Sequence, residues 1–244
     1  MCFGEATKFA QALLDERKEY VAHVRFGVAT STGDAEGEVV EESAAAFARG
    51  DLDATLLDFT GPIRQVPPRY AALKHKGKSY YEYARAGIEI PRPEREVRID
   101  AIHLVDWAPP VAMLRIACSK GTYIRTLAED IGHALGSCAH VAGLRRTAVG
   151  SHTVDDAITV AALEAASESR ELDAMLLPVD TLVMALPPLD VSDEAALALV
   201  QGRQVSAGDV APGRYRCRAS GRFTGTVEVD EAGVTRPLRM RRWP

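Results

Sequence analysis

Ala112, Leu114, Ile116 and Cys118 alternate with Val111, Met113, Arg115 and Ala117, a period of two that predicts a strand over 111–118. Lys120-Gly121 breaks it. Ile124, Leu127, Ala128, Ile131 and Leu135 then recur at helical spacing, which predicts an amphipathic helix with Thr122 as its cap and Gly136 at its left-handed end. Alternation returns at Tyr20, Ala22, Val24 and Phe26, and over 97–107, which pairs with 111–118 around Pro109-Pro110. It also returns over 140–149, where it puts Val141, Gly143, Arg145 and Thr147 on one face. Helical spacing marks 5–14, with Phe9, Leu13 and Leu14 on one side, as well as 51–59, 79–85 before Gly87, and 160–174. A Gly/Asp/Ser-rich loop spans Thr30 to Gly37, and Leu186-Pro187-Pro188-Leu189 reads as a linker. Beyond it, Ser192 caps a helix over 194–200, and short strands within 215–229 make a small β-rich module. Strands and helices mix without a regular βαβ repeat. The fold class is therefore α+β, with a mixed, largely antiparallel sheet and flanking helices.

At 244 residues and 47% hydrophobic, the chain buries enough apolar surface for one large domain and a small one. No apolar run is long enough to span a bilayer, and the start lacks a basic and apolar leader pattern, so a soluble, cytoplasmic protein without membrane association is expected. Cys2, Cys118, Cys138 and Cys217 form no C-x-x-C pair and have no histidine at metal spacing, which points to free thiols rather than disulfides or zinc.

The net charge of −5 speaks against a nucleic-acid partner only until its distribution is read. Residues 34–58 hold eight acids and one base, whereas 64–98 hold nine bases and four acids, interleaved with Tyr70, Tyr80, Tyr81 and Tyr83. Lys74, Lys76 and Lys78 in that segment offer phosphate contacts beside stacking surfaces. Lys120 and Arg125 flank a helix start, where backbone N–H groups already favour an anion. No G-x-S-x-G, H-E-x-x-H or P-loop motif occurs, so hydrolase and nucleotide-binding signatures are missing.

Lys120-Gly121-Thr122-Tyr123-Ile124-Arg125, then Asp130-Ile131-Gly132 and Leu144-Arg145-Arg146, resemble the bacterial tRNA pseudouridine synthase B (TruB) family. Four further blocks agree in order: Gly4 to Phe9 leading to Lys18-Glu19-Tyr20, Thr32 to Gly37, Val66 to Lys74, and Tyr81 to Gly87. Five colinear blocks are far more specific than any one of them.

The resemblance implies a pseudouridine synthase catalytic domain over 1–185 and a PUA-like RNA-binding domain over 189–244, in a monomer. It implies isomerisation of uridine 55 in the T-loop of tRNA, with the T-loop and T-stem as partner and with no metal or organic cofactor. Tyr20 matches the tyrosine that stacks on the target base and removes its C5 proton. Arg145 matches the arginine that pairs with the nucleophilic aspartate, and Leu163 supplies an apolar wall. Lys74, Lys76, Lys78, Lys120, Arg125, Arg239, Arg241 and Arg242 are the expected RNA contacts. In the family the nucleophile lies in a G-H-x-G-x-L-D-P segment upstream of the Gly4 block, and this sequence has no such segment. The expectation is thus of a synthase chain lacking its nucleophile, with a catalytically inactive remnant that only binds tRNA as the alternative.

Overall fold

The alternating segments fold as strands, and their register decides which side chains meet. The computed structural model describes residues 1–169 and 172–242. A 3-10 turn (Gly4–Lys8) and a short helix α1 (Ala10–Asp15) come first. Then follow β1 (Lys18–Phe26), β2 (Val28–Thr30), β3 (Val39–Glu42), α2 (Arg49–Asp58), β4 (Gly61–Gln65) and the hairpin of β5 (Lys74–His75) and β6 (Lys78–Ser79). The order continues with α3 (Tyr80–Arg85), β7 (Arg95–Ala108), β8 (Val111–Cys118), α4 (Ile124–Ala134), β9 (Ala139–Val149) and β10 (His152–Thr153).

Residues 16–157 form one unit built on a six-stranded sheet, in the order β10-β9-β1-β8-β7-β4, with every pairing antiparallel. One face is apolar: Ala22, Val24 and Phe26 of β1 and Ala112, Leu114 and Ile116 of β8 pack against Ile124, Leu127, Ala128 and Ile131 of α4 and Leu52 and Leu56 of α2. Truncating a fully buried member such as Leu114 to alanine removes about 2–5 kcal/mol. Gly132 lets α4 lie close on β9, because a Cβ there would stand 2.8 Å from the Ala139 Cβ and 2.9 Å from its backbone N. Gly136 ends the helix at φ +69°, as its position predicts.

The start of α4 corrects the sequence reading. Thr122 does not cap it; its hydroxyl donates to Ser119 O at 3.0 Å and closes the turn. The helix start is held instead by buried Gln65, whose Oε1 accepts from Tyr123 N at 3.0 Å while its Nε2 donates to Tyr123 O at 3.2 Å.

Residues 1–15 and the chain from 158 onward form the second unit. The cause is a core cluster in which Phe9 meets Phe223 edge-on at 5.1 Å beside Val183. The helix expected over 160–174 appears as α5 (Val160–Ser169) and a 3-10 turn (Leu172–Met175); its residues 170–171 lie outside the described residues. Next come β11 (Pro188–Val191), α6 (Asp193–Val200), β12 (Val205–Ser206), β13 (Gly213–Ala219), β14 (Arg222–Val229) and β15 (Val234–Met240). They make a five-stranded sheet ordered β11-β13-β14-β15-β12. The expected linker at 186–189 is partly strand: Pro188 opens an edge strand, where a missing N–H costs least, and Leu189 is buried opposite Cys217. Ser192 caps α6 through Ala195 N at 3.1 Å, as predicted.

Candidate active site

Two β-bulges in the β1–β9 ladder determine what surrounds Tyr20. One lies between Glu19 and Tyr20 and the other between His23 and Val24, so Thr147 and Ala142 are extra residues on β9. The second bulge breaks the expected alternation: Val141 lies opposite Val24 on the helix-covered face, whereas Gly143 lies opposite His23 and Arg145 opposite Val21 on the other face. Tyr20 pairs with Arg146, and Ala22 with Leu144. The structure therefore brings Tyr20 together with Arg146 and Leu144 and does not bring it together with Arg145. Arg145 is exposed.

Tyr20 is half-buried against the main core, in the cluster that includes Ile124 at the start of α4. Burial pushes its phenol pKa up, the nearby Cys118 thiol adds to the rise, and Arg146 opposes it. Leu144, 49% exposed, stands on the same face one position along. Leu163, the expected apolar wall, belongs to α5 in the other unit.

Arg125, the second residue of α4, is only 23% exposed and is fixed by three acceptors. Its Nη1 donates to Asp34 Oδ2 at 3.0 Å and to Thr32 O at 3.1 Å, and its Nη2 donates to Tyr70 O at 2.7 Å. Asp34 is thus the ion-pair partner of this guanidinium. Of its five N–H donors, Nε–H and one on Nη2 have no partner among the described residues. Asp34 is itself held: its Oδ1 accepts from the Thr32 hydroxyl at 2.5 Å and from Glu36 N at 3.2 Å, and its backbone bridges Val141 on β9. The Thr30–Gly37 loop is thereby tied to both α4 and β9. Tyr123, just before Arg125, has its phenol pKa raised, chiefly by burial.

Lys74, Lys76 and Lys78 are all exposed on the β5–β6 hairpin, whose tip at Lys76-Gly77 has two positive φ values, +47° and +86°. Lys120 is exposed in the turn before α4. In the second unit Arg239 and Arg242 are exposed, whereas Arg241 is half-buried and donates through Nη1 to Phe223 O at 3.1 Å. Sequence reasoning missed Arg146, Leu144, Asp34 and Gln65. Only Asp34 left a signal, in the Thr-x-Asp spacing of a self-bonding turn. Among the described residues no cluster is arranged to hold a metal ion, and no helix is long and apolar enough to cross a membrane.

Two family models match in succession: "TruB family pseudouridylate synthase (N terminal domain)" over residues 1–124 and "tRNA pseudouridylate synthase B C-terminal domain" over 125–184. A tRNA pseudouridine synthase B of Cupriavidus pinatubonensis is 53% identical over 216 residues, covering 87% of this chain and 68% of the relative. That of Chromobacterium violaceum is 46% identical over 244 residues, covering 98% and 79%. Among solved structures, a chain of a Cbf5–Nop10–Gar1 complex superposes with a TM-score of 0.71 at 22% identity, covering 99% of this chain and 70% of that one. A chain of an H/ACA RNP bound to a substrate RNA gives 0.72 at 19% identity, covering 99% and 71%. These structures establish the likeness of fold, and the sequence matches establish the family. The chain belongs to the TruB family of pseudouridylate synthases.

Proposed function

We propose that this chain carries the substrate-handling part of a tRNA pseudouridine synthase acting on uridine 55 of the T-loop. The observation that carries this reading is the pair of consecutive family matches over 1–184, joined by relatives named tRNA pseudouridine synthase B that align with nearly the whole chain. In the reaction the C1′–N1 bond of uridine breaks, the base rotates, a C1′–C5 bond forms, and the proton leaving C5 is balanced by one gained at N1. The base must first leave its stack, which costs a few kcal/mol and needs an aromatic surface to receive it.

Tyr20 supplies that surface. Its raised phenol pKa keeps the ring neutral and favours stacking at rest, and the hydroxyl then takes part in moving the C5 proton. Leu144 forms an apolar wall beside it. The resemblance assigns the partner of the nucleophilic aspartate to Arg145, but geometry favours Arg125. Arg145 faces away from Tyr20, whereas Arg125 is rigidly held on the same side and retains two donors, the number that a bidentate carboxylate takes.

No aspartate in this sequence sits in a G-H-x-G-x-L-D-P context, and we assign the nucleophile to such a segment outside it. Lys74, Lys76, Lys78, Lys120, Arg239 and Arg242 hold the T-stem and T-loop phosphates, in a cytoplasmic monomer. The test is to supply that segment from a relative and map pseudouridine at single-nucleotide resolution on unmodified tRNA transcripts. Conversion confined to position 55 is expected. Conversion elsewhere, or none, overturns the reading.

A further inference from the structure

The face of the six-stranded sheet opposite α2 and α4 carries a row of basic side chains that point away from Tyr20. The register places Arg145 of β9, Val21 of β1, Arg115 of β8 and His103 of β7 side by side across four consecutive strands. Arg25 projects from the same face of β1, two residues beyond His23. Arg25, His103, Arg115 and Arg145 are all exposed, and none has an ion-pair partner among the described residues. This is unusual in a chain with 34 acids against 29 Lys and Arg. Solvated sheet faces ordinarily pair opposite charges across strands, whereas here no acid stands opposite Arg145 or Arg115. Of the acids on this face, Glu19 accepts from the Thr147 hydroxyl at 2.9 Å and Asp106 from Trp107 N at 2.9 Å, while the exposed Glu96 stands further along β7, opposite Arg64 of β4.

We propose that this face is a second RNA surface, on which the backbone phosphates of a part of the tRNA away from the T-loop lie along the Arg145–Arg115–His103 row. The proposal rests on the tRNA reading above for the identity of the polyanion. Strands stand about 5 Å apart, so the two arginines are set about 10 Å apart on a rigid sheet, a spacing fixed before any ligand arrives. A polyphosphate relieves the like-charge row and releases counterions as it binds. Such a contact adds affinity for whole tRNA without touching the reacting base.

The experiment compares the chain with its Arg25→Gln/Arg115→Gln and Arg25→Lys/Arg115→Lys double variants, each checked for an unchanged thermal melt. Binding is measured from low to high salt on a whole tRNA transcript, on an isolated T-arm hairpin and on polyglutamate. The glutamine variant is expected to bind whole tRNA about tenfold more weakly at physiological salt, with a log–log salt slope lower by about 1.4–1.8, while the T-arm hairpin is unaffected. The lysine variant is expected to recover most of the loss. Unchanged affinity and slope for whole tRNA overturn this proposal alone, as does a lysine variant as weak as the glutamine one. A loss confined to polyglutamate also overturns it in favour of an acidic protein partner. If the parent chain binds no tRNA at all, the tRNA reading falls with it.

Discussion

Tyr20 stands opposite Arg146 across the β1–β9 ladder, and the next residue of β9, Arg145, stands opposite Val21 on the other side of the sheet. A single alternation step thus separates an arginine beside the phenol from one on the opposite face of the sheet, although both are exposed. Arg146→Ala should slow conversion of the T-loop uridine in the enzyme completed by its nucleophile segment, and Arg145→Ala should affect it far less. Single-turnover rates on T-arm RNA make the comparison. Equal losses from both would mean that the register does not govern the site.

The Tyr20 hydroxyl is expected to matter for turnover and not for capture. Tyr20→Phe keeps the stacking ring, so RNA affinity should hold, while the loss of a proton-handling group should lower the single-turnover rate by about 10²–10⁴-fold. Tyr20→Ala should weaken both. A phenylalanine variant that converts at the parent rate would remove the hydroxyl from the mechanism and leave Tyr20 as a stacking residue only.

Asp34 and Arg125 form one unit with the loop that carries them. Removing Asp34 leaves a part-buried guanidinium without its carboxylate, at a cost of about 1–3 kcal/mol, and frees Thr30–Gly37 from α4. The double variant Asp34→Ala/Arg125→Ala should be less destabilised than the sum of the single variants, as expected for groups in direct contact. Urea unfolding of the four proteins measures the coupling, and strict additivity would contradict it.

Much of this architecture was legible in the sequence, and the exceptions have physical causes. The 111–118 strand and the apolar stripe of α4 follow from periodicity because burial enforces it. Gly136 and Ser192 mark helix ends because few residues suit those backbone positions. The bulges at Ala142 and Thr147 were not legible, since an extra residue leaves the local pattern plausible while switching every later side chain to the other face. Gln65 and Asp34 were missed for another reason: their partners at Tyr123 and Arg125 lie far along the chain, and polar residues carry no periodic signature. The two-proline stretch read as a linker because proline usually interrupts sheets, yet an edge strand tolerates it.

The approach of α4 to β9 depends on Gly132. Gly132→Ala places a methyl group against the Ala139 backbone, which a flexible side chain could escape but a strand cannot. The loss should be about 1–3 kcal/mol, read as a lower urea midpoint with unchanged slope. An unaltered midpoint would show that the helix shifts freely.

Glu129 gives the stability a pH dependence. Burial pushes its carboxyl above the ordinary 4.5, Asp130 adds to the rise, and His133, Arg125 and Arg92 oppose it. The folded chain then holds this proton more tightly than the unfolded one, so stability contributed by the neutral form is complete below 4.5 and is lost as pH rises through the raised value. Glu129→Gln should therefore melt higher than the parent at neutral pH, with the difference closing towards pH 4. Melting curves across that range check the sign, and a difference that grows on acidification would reverse it.

The most direct measurement is single-turnover formation of pseudouridine at position 55 of an unmodified tRNA transcript by three proteins. These are the 244-residue chain, the chain preceded by a relative's G-H-x-G-x-L-D-P segment, and that extended chain with Arg125→Ala. No conversion is expected by the first, stoichiometric conversion by the second and a severe loss in the third. Stoichiometric conversion by the first protein, or an undiminished rate in the third, would contradict this expectation.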